Sequence, residues 1–117
     1  RTNTPMQALA LLNEITYVEA ARKLAENMIQ QGGSTARERI IWAFRRITAR
    51  TPQGPEVDIL LNGLEKQLAL YSTNSSAAQE LLSFGDSKSP ETIPAGELAA
   101  YTVSANVLLN MDEFISR

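Results

Sequence analysis

A stretch of 117 residues with no histidine and no cysteine has few chemistries open to it. Cys/His zinc sites, Ser–His–Asp and Cys–His nucleophile systems, histidine-ligated haem and disulfides all fall away. Carboxylates, arginines, lysines, tyrosines and hydroxyls remain. Arg1-Thr2-Asn3-Thr4 stands at a helix start, where free N–H groups and the helix dipole favour an anion. Capping preference plus a salt bridge accounts for the same residues. Arg45, Arg46 and Arg50 gather near a helix C-terminus and suit a phosphate or a polyanionic glycan, although basic residues there also simply complement the dipole. Asn110, Asp112 and Glu113 offer oxygens to a hard cation. Calcium wants six to eight oxygens and a turn-making glycine, so these three read as a solvated or ion-paired helix end. Glu56 and Asp58, near a helix start, are dipole-favourable residues. Trp42 with Tyr17, Tyr71 and Tyr101 would make an aromatic platform for a sugar or a partner protein, except that Tyr71 and Tyr101 fall on core stripes. Trp42 alone is off its helix's stripe and reads as an interface residue, because tryptophan is enriched at binding hot spots. No catalytic, cofactor-binding or metal-ligating residue emerges. The candidates are the interface residues Trp42, Arg1, Asn3, Arg45 and Arg46.

Composition agrees with an ordinary globular domain. Apolar residues make up 44% and charged residues 21%, and the length suits one domain with a real core. The net charge of −2 and pI of about 5.1 lower the expectation of a nucleic-acid partner. No apolar run approaches the roughly 20 residues that span a bilayer. The lack of cysteine leaves the compartment open. The chain opens on Arg1 inside a capping pattern, which suggests a fragment of a larger multi-domain protein.

The elements that must position these residues are helices. Thr4-Pro5 reads as N-cap and first helical residue, with Met6, Leu9, Ala10 and Leu12 on a short apolar face. After an interruption at Asn13 and Glu14 the pattern resumes at Ile15 and runs to about Gln31. This is either two helices with a break near Asn13 or one bent helix. Val18, Ala21, Leu24, Ala25 and Met28 share its stripe, and Glu19 and Lys23 are spaced for a favourable pair. Gly32-Gly33 stops it. Thr35 and Glu38 fit a capping box for a helix over Ala36–Ala49, which buries Ile40, Ala43, Phe44 and Ile47. At about 100° per residue Trp42 falls nearly opposite that face, so it either packs on a second partner or is partly exposed. Thr51–Pro55 is a turn by composition. The next helix, Glu56 to about Ser72, has the cleanest stripe: Val57, Leu60, Leu61, Leu64, Leu68 and Tyr71. Gly63 inside it costs roughly 1 kcal/mol against alanine, which signals either close packing or mere tolerance. A short helix is expected over Ala77–Phe84, then an exposed loop over Asp86–Ile93. Pro94–Met111 is the most apolar segment. Leu98, Tyr101, Thr102, Ala105, Leu108 and Leu109 recur at helical spacing, with Val103 and Val107 as a second apolar flank. A helix apolar on most of its circumference sits between neighbours, so this is the expected centre. Met111–Arg117 either continues it or forms a last turn. No useful period-two run appears, so strands are not needed.

Several stretches, in order, resemble a known family. They are Arg1–Asn13 (RTNTPMQALALLN), Tyr17–Arg22 with Leu24-Ala25, Ala43–Arg50 and Leu108–Phe114. Together they resemble the C-terminal region of a planctomycete-type domain family of unknown function. Its members occur in large exported proteins, often beside a cytochrome c-like domain. Two departures stand out. Glu14-Ile15 replaces the family's common Asp-Pro, which makes a sharp break there less certain. Ala49 replaces a common glycine, which implies a less abrupt helix end. The resemblance implies an exported, multi-domain setting and no known activity.

The sequence therefore reads as a single all-α domain over residues 1–117. It is a bundle of five or six helices, mostly antiparallel, around a central C-terminal helix. Its expected role is a non-catalytic structural or interaction module, without a cofactor, whose partners are other domains of the parent chain. The alternative is a module that contributes arginines or carboxylates to a site shared with an upstream domain, in polysaccharide or redox metabolism.

Overall fold

In the computed structural model, residues 15–83 and 90–115 are described, with side chains from 18 to 83 and from 90 to 111. They hold five helices: α1 Ile15–Gln31, α2 Ala36–Thr48, α3 Gly54–Ser72, α4 Ser75–Leu82 and α5 Ala95–Ile115. The expected helix from Pro5 and any break near Asn13 lie outside the described residues.

The most apolar segment is the centre of an all-α bundle. Every residue from Leu98 to Ala105 is buried, and α5 packs against each of the other four helices. Around it, α1 buries Val18, Ala21, Ala25 and Met28, α2 buries Ile40, Ala43 and Phe44, and α3 buries Val57, Leu64 and Tyr71. Leu24, Ile47, Leu60, Leu61, Leu68 and Leu109 are partly buried against this core. Val107 departs from expectation: it is 40% exposed, because the helices around α5 leave that side of its C-terminal half uncovered. Thr102 is buried without cost to its hydroxyl, which donates to the Leu98 carbonyl at 2.7 Å.

The helix ends follow local chemistry, with some corrections to the expected boundaries. The Thr35 hydroxyl accepts from the Glu38 N–H at 3.2 Å, and the Glu38 carboxylate accepts from the Thr35 N–H at 3.2 Å, completing the capping box. α2 stops at Thr48 as sharply as a glycine would make it. Ala49 takes the left-handed conformation, φ 61° and ψ 21°, and its N–H donates to the Arg45 carbonyl at 2.9 Å. The replacement of glycine by Ala49 thus leaves the stop in place and adds strain to it. α3 begins at Gly54, two residues before the expected Glu56, and its Glu56 carboxylate accepts from the Gln53 N–H at 2.8 Å. α4 begins at Ser75 and ends at Leu82, two residues ahead of expectation at each end. Its cap is Asn74, whose Oδ1 accepts from the Ala77 N–H at 3.1 Å. The loop expected to be wholly exposed contains a buried residue, Ile93. It precedes the N-cap Pro94, in the staple position relative to Leu98. α5 continues through Ile115.

Candidate functional site

The site is built on the outer side of α2, where that helix turns away from α1. Glu38, Trp42, Arg45 and Ala49 recur at intervals of four, three and four residues and so lie along one face. Ile41 and Arg46 flank that face. The C-terminal end of α1 contributes Gln31, and the corner contributes Gly32 and Gly33. Together these residues line an open groove of about 690 Å³. Three of the five sequence candidates, Trp42, Arg45 and Arg46, meet in it. Arg1 and Asn3 lie outside the described residues.

Trp42 is only half-buried, as its position opposite the α2 core face requires, and part of it packs against the core. The Arg46 guanidinium covers its ring, 4.8 Å from the centroid. This cation–π contact holds both groups in place, and is worth about 0.5–1 kcal/mol at an exposed site. It also covers one ring face on which a sugar would stack. Tyr71 and Tyr101, the other members of the imagined aromatic platform, are buried. The side chain of Tyr17 is outside the described residues.

The charges divide sharply. Arg22, Arg37, Arg39 and Arg50 each stand in an ion pair, with Glu26, Asp58, Glu97 and Glu56 respectively. Arg45 and Arg46 are exposed and have no carboxylate partner among the described residues. Arg50, expected to gather with them, turns away: it makes two bonds to Glu56, 3.0 and 2.8 Å, and lies over the Phe44 ring at 4.9 Å. The pairing with Arg50, helped by the Gln53 N–H, holds the Glu56 carboxyl down at about 2. Glu38, at the other end of the groove, is saturated by its capping role. Its Oε1 accepts from the Ser34 N–H at 2.9 Å and the Thr35 N–H at 3.2 Å, and these bonds keep it below the usual carboxylate range.

Two buried or half-buried arginines tie the helices together, Arg39 beside the groove and Arg22 away from it, and sequence reasoning missed both. Arg39 fastens the glycine corner to α5. Its Nε donates to the Gly33 carbonyl at 3.0 Å, and its Nη1 reaches Glu97 at 3.4 Å and the Tyr101 hydroxyl at 3.2 Å. Its partners lie some sixty residues further along the chain, so no local pattern announces it. Arg22, 2% exposed, sits in the apolar stripe of α1, donates to the Leu82 carbonyl at the end of α4 at 3.0 Å, and pairs with Glu26. A signal existed here, since Arg22 is one turn beyond Val18 and four residues before Glu26.

The carboxylate-and-amide cluster proposed for a cation cannot be assembled from what is described. Asn110 is exposed, and the side chains of Asp112 and Glu113 lie outside the described residues. No group of three or more acidic side chains converges among the described residues, and none of the described helices is long and apolar enough to cross a membrane. The groove sets Ile41 and a half-buried indole beside two guanidiniums that have no carboxylate partner among the described residues.

No curated protein and no solved structure matches the chain. A family model does, over residues 1–64, which takes in α1, α2, the groove between them and the first half of α3. The Leu108–Phe114 stretch lies beyond that match. With more than half of its length matched, the chain belongs to the PSD1 family, a protein of unknown function (DUF1553).

Proposed function

We propose that this chain is a non-catalytic helical interaction module, and that it docks against other domains of a larger exported protein through the groove at Trp42. One observation carries the reading: the residue off the α2 core stripe lies in an open concavity with the two arginines that have no carboxylate partner among the described residues. Tryptophan and arginine are the residue types that dominate binding energy at protein interfaces. All three lie on the one helix α2, which presents them together.

The test is a calorimetric titration of this chain with the separately expressed remaining domains of its parent, for wild type and Trp42→Ala. Association is expected, and the substitution should weaken it by about 2 kcal/mol, the size of a hot spot. Absence of association sinks the reading.

The convergence of Arg45 and Arg46 on a concavity also favours a second reading, in which the groove completes a ligand site with an upstream domain. There, Arg45→Gln with Arg46→Gln removes a ligand-binding property of the assembled protein and leaves domain association intact.

A further inference from the structure

We infer that the groove's occupant is an acidic peptide segment, with an apolar side chain seated on Ile41 and Trp42 and carboxylates held by Arg45 and Arg46. This rests on the docking reading above and specifies its partner.

The argument begins with the charges left over after folding. A net negative chain pairs Arg22, Arg37, Arg39 and Arg50 internally, yet Arg45 and Arg46, both on this groove, have no carboxylate partner among the described residues. Complementing the α2 dipole needs no concavity and no aromatic neighbour, and here both are present. The Arg46 guanidinium over the indole is already oriented, with its edge N–H groups still unused. A planar guanidinium held this way suits the two-bond fork that a carboxylate accepts. Little side-chain freedom remains to be lost on binding.

The opposite end of the groove sets the polarity of the occupant. Glu38 lies seven residues before Arg45, roughly 10 Å along the helix axis at 1.5 Å per residue. Its Oε1 is taken by the Ser34 and Thr35 N–H groups, and its carboxyl stays ionised because those bonds favour the charged form. An occupant with uniform negative charge along its whole length, such as a sulfated glycan, meets this carboxylate. A peptide with its acidic residues at one end and an apolar residue next to them does not. Between the charged ends lie Ile41 and Trp42, and Arg46 covers one face of the indole, a face on which a sugar would stack.

A random-peptide display library selected on the immobilised chain tests this directly. Peptides that bind wild type and are lost on Trp42→Ala should share an apolar residue beside two or more Asp or Glu. Synthetic forms of them should quench or shift the emission of Trp42, the sole tryptophan. Arg45→Gln with Arg46→Gln should weaken their binding roughly tenfold or more, as losing charge-assisted hydrogen bonds does. Trp42-dependent peptides without acidic residues, or ones indifferent to the double substitution, overturn the acidic-partner inference while leaving docking intact. If no peptide depends on Trp42, the docking reading itself fails. Heparin oligosaccharides that bind in an Arg45/Arg46-dependent way where no peptide does overturn the inference in favour of an anionic glycan.

Discussion

The corners on either side of α2 use the same capping device and opposite ways of closing. In each, a glutamate at the third helical position accepts from backbone N–H groups before its helix: Glu38 ahead of α2, Glu56 ahead of α3. At the α1–α2 corner Gly32 is buried, with backbone close around it. A Cβ on Gly32 would stand 2.5 Å from the Met28 carbonyl oxygen and 3.2 Å from the Arg39 Cα, and Gly33 has a φ of 120°. Arg39 locks this corner to α5. At the α2–α3 corner the backbone is open. An alanine bears the left-handed conformation with its side chain in solvent, nothing crowds Gly54, and the closing ion pair Arg50–Glu56 is partly exposed. Where neighbours surround the main chain, only glycine fits. Where they do not, side-chain electrostatics closes the turn and a strained residue survives. Both corners reach the groove, the enclosed one with Gly32 and Gly33 and the open one with Ala49.

The largest effect that separates the corners should come from Gly32→Ala. The new methyl meets backbone, which cannot move aside as a flexible side chain would. A loss of about 2–3 kcal/mol is expected, in the range of overpacking and backbone strain. Thermal unfolding should show it as a drop of roughly 10 °C or more. A variant with an unchanged melting temperature would mean that the corner is not enclosed. Next comes Arg39→Met, which keeps the length of the side chain and removes its bonds to Gly33, Glu97 and Tyr101. With Arg39 half-buried, a loss of roughly 2 kcal/mol follows from charge-assisted bonds. Arg50→Met, at the open corner, should cost clearly less in the same denaturant titration.

A smaller pair of substitutions should raise stability. Ala49→Gly relieves the φ of 61° at the open corner and should gain about 0.5–1 kcal/mol. Gly63→Ala does the reverse exchange inside α3, where a Cβ would meet nothing within 4 Å, and should gain a similar amount, about 0.5–1 kcal/mol. That open surroundings answer what Gly63 is for: it is tolerated, and no close packing requires it. Chemical denaturation of the two single variants and the double checks both the sign and the additivity expected of separated sites. A destabilised Ala49→Gly would show that the left-handed turn is not under strain.

How much of this was legible in the chain divides along the same line as the two corners. The helices, their apolar stripes and the central place of α5 were readable, because burial repeats at 3.6 residues and the last long helix is apolar on most of its circumference. The capping box at Thr35 and Glu38 was readable because both partners are three residues apart. The offset of α4 was a matter of which polar residue caps: Asn74, Ser75 and Ser76 are all eligible, and only the hydrogen bond to Ala77 decides. The Arg39 clasp was not readable, since Glu97 and Tyr101 become its neighbours only after α5 is docked. The half-buried place of Trp42, off the core face, was readable from its angle on the helix, but its cover by Arg46 depends on rotamers that spacing does not specify. The separation of Arg50 from Arg45 and Arg46 has the same cause. A left-handed residue after Thr48 swings Arg50 toward Glu56, and three arginines close in sequence serve two different faces.

The finest distinction between the corners is their response to acid. Glu56 has its carboxyl lowered from 4.5 to about 2, first by the Arg50 hydrogen bonds and then by the Gln53 N–H. Its folded value lies below its unfolded one, so between those two values the unfolded chain binds the extra proton. The stability that Glu56 contributes is therefore complete above pH 4.5 and is lost as the pH falls toward about 2. Glu38 is shifted the same way by the Ser34 and Thr35 N–H groups, so acid loosens the caps of both helices. At the open corner the partly exposed Arg50–Glu56 pair adds to this. Glu56→Gln should thus be less stable than wild type at neutral pH, and the difference should shrink as the pH is lowered through that window, leaving the slope due to Glu38 and other carboxylates. Raising the ionic strength at pH 7 should narrow the same difference, because a partly exposed pair is screened. Urea titrations of both proteins between pH 7 and pH 2, at low and high salt, measure it. A gap that shrinks with acid but ignores salt would mean that Glu56 acts through its cap alone, and the two corners would then differ in packing and not in electrostatics.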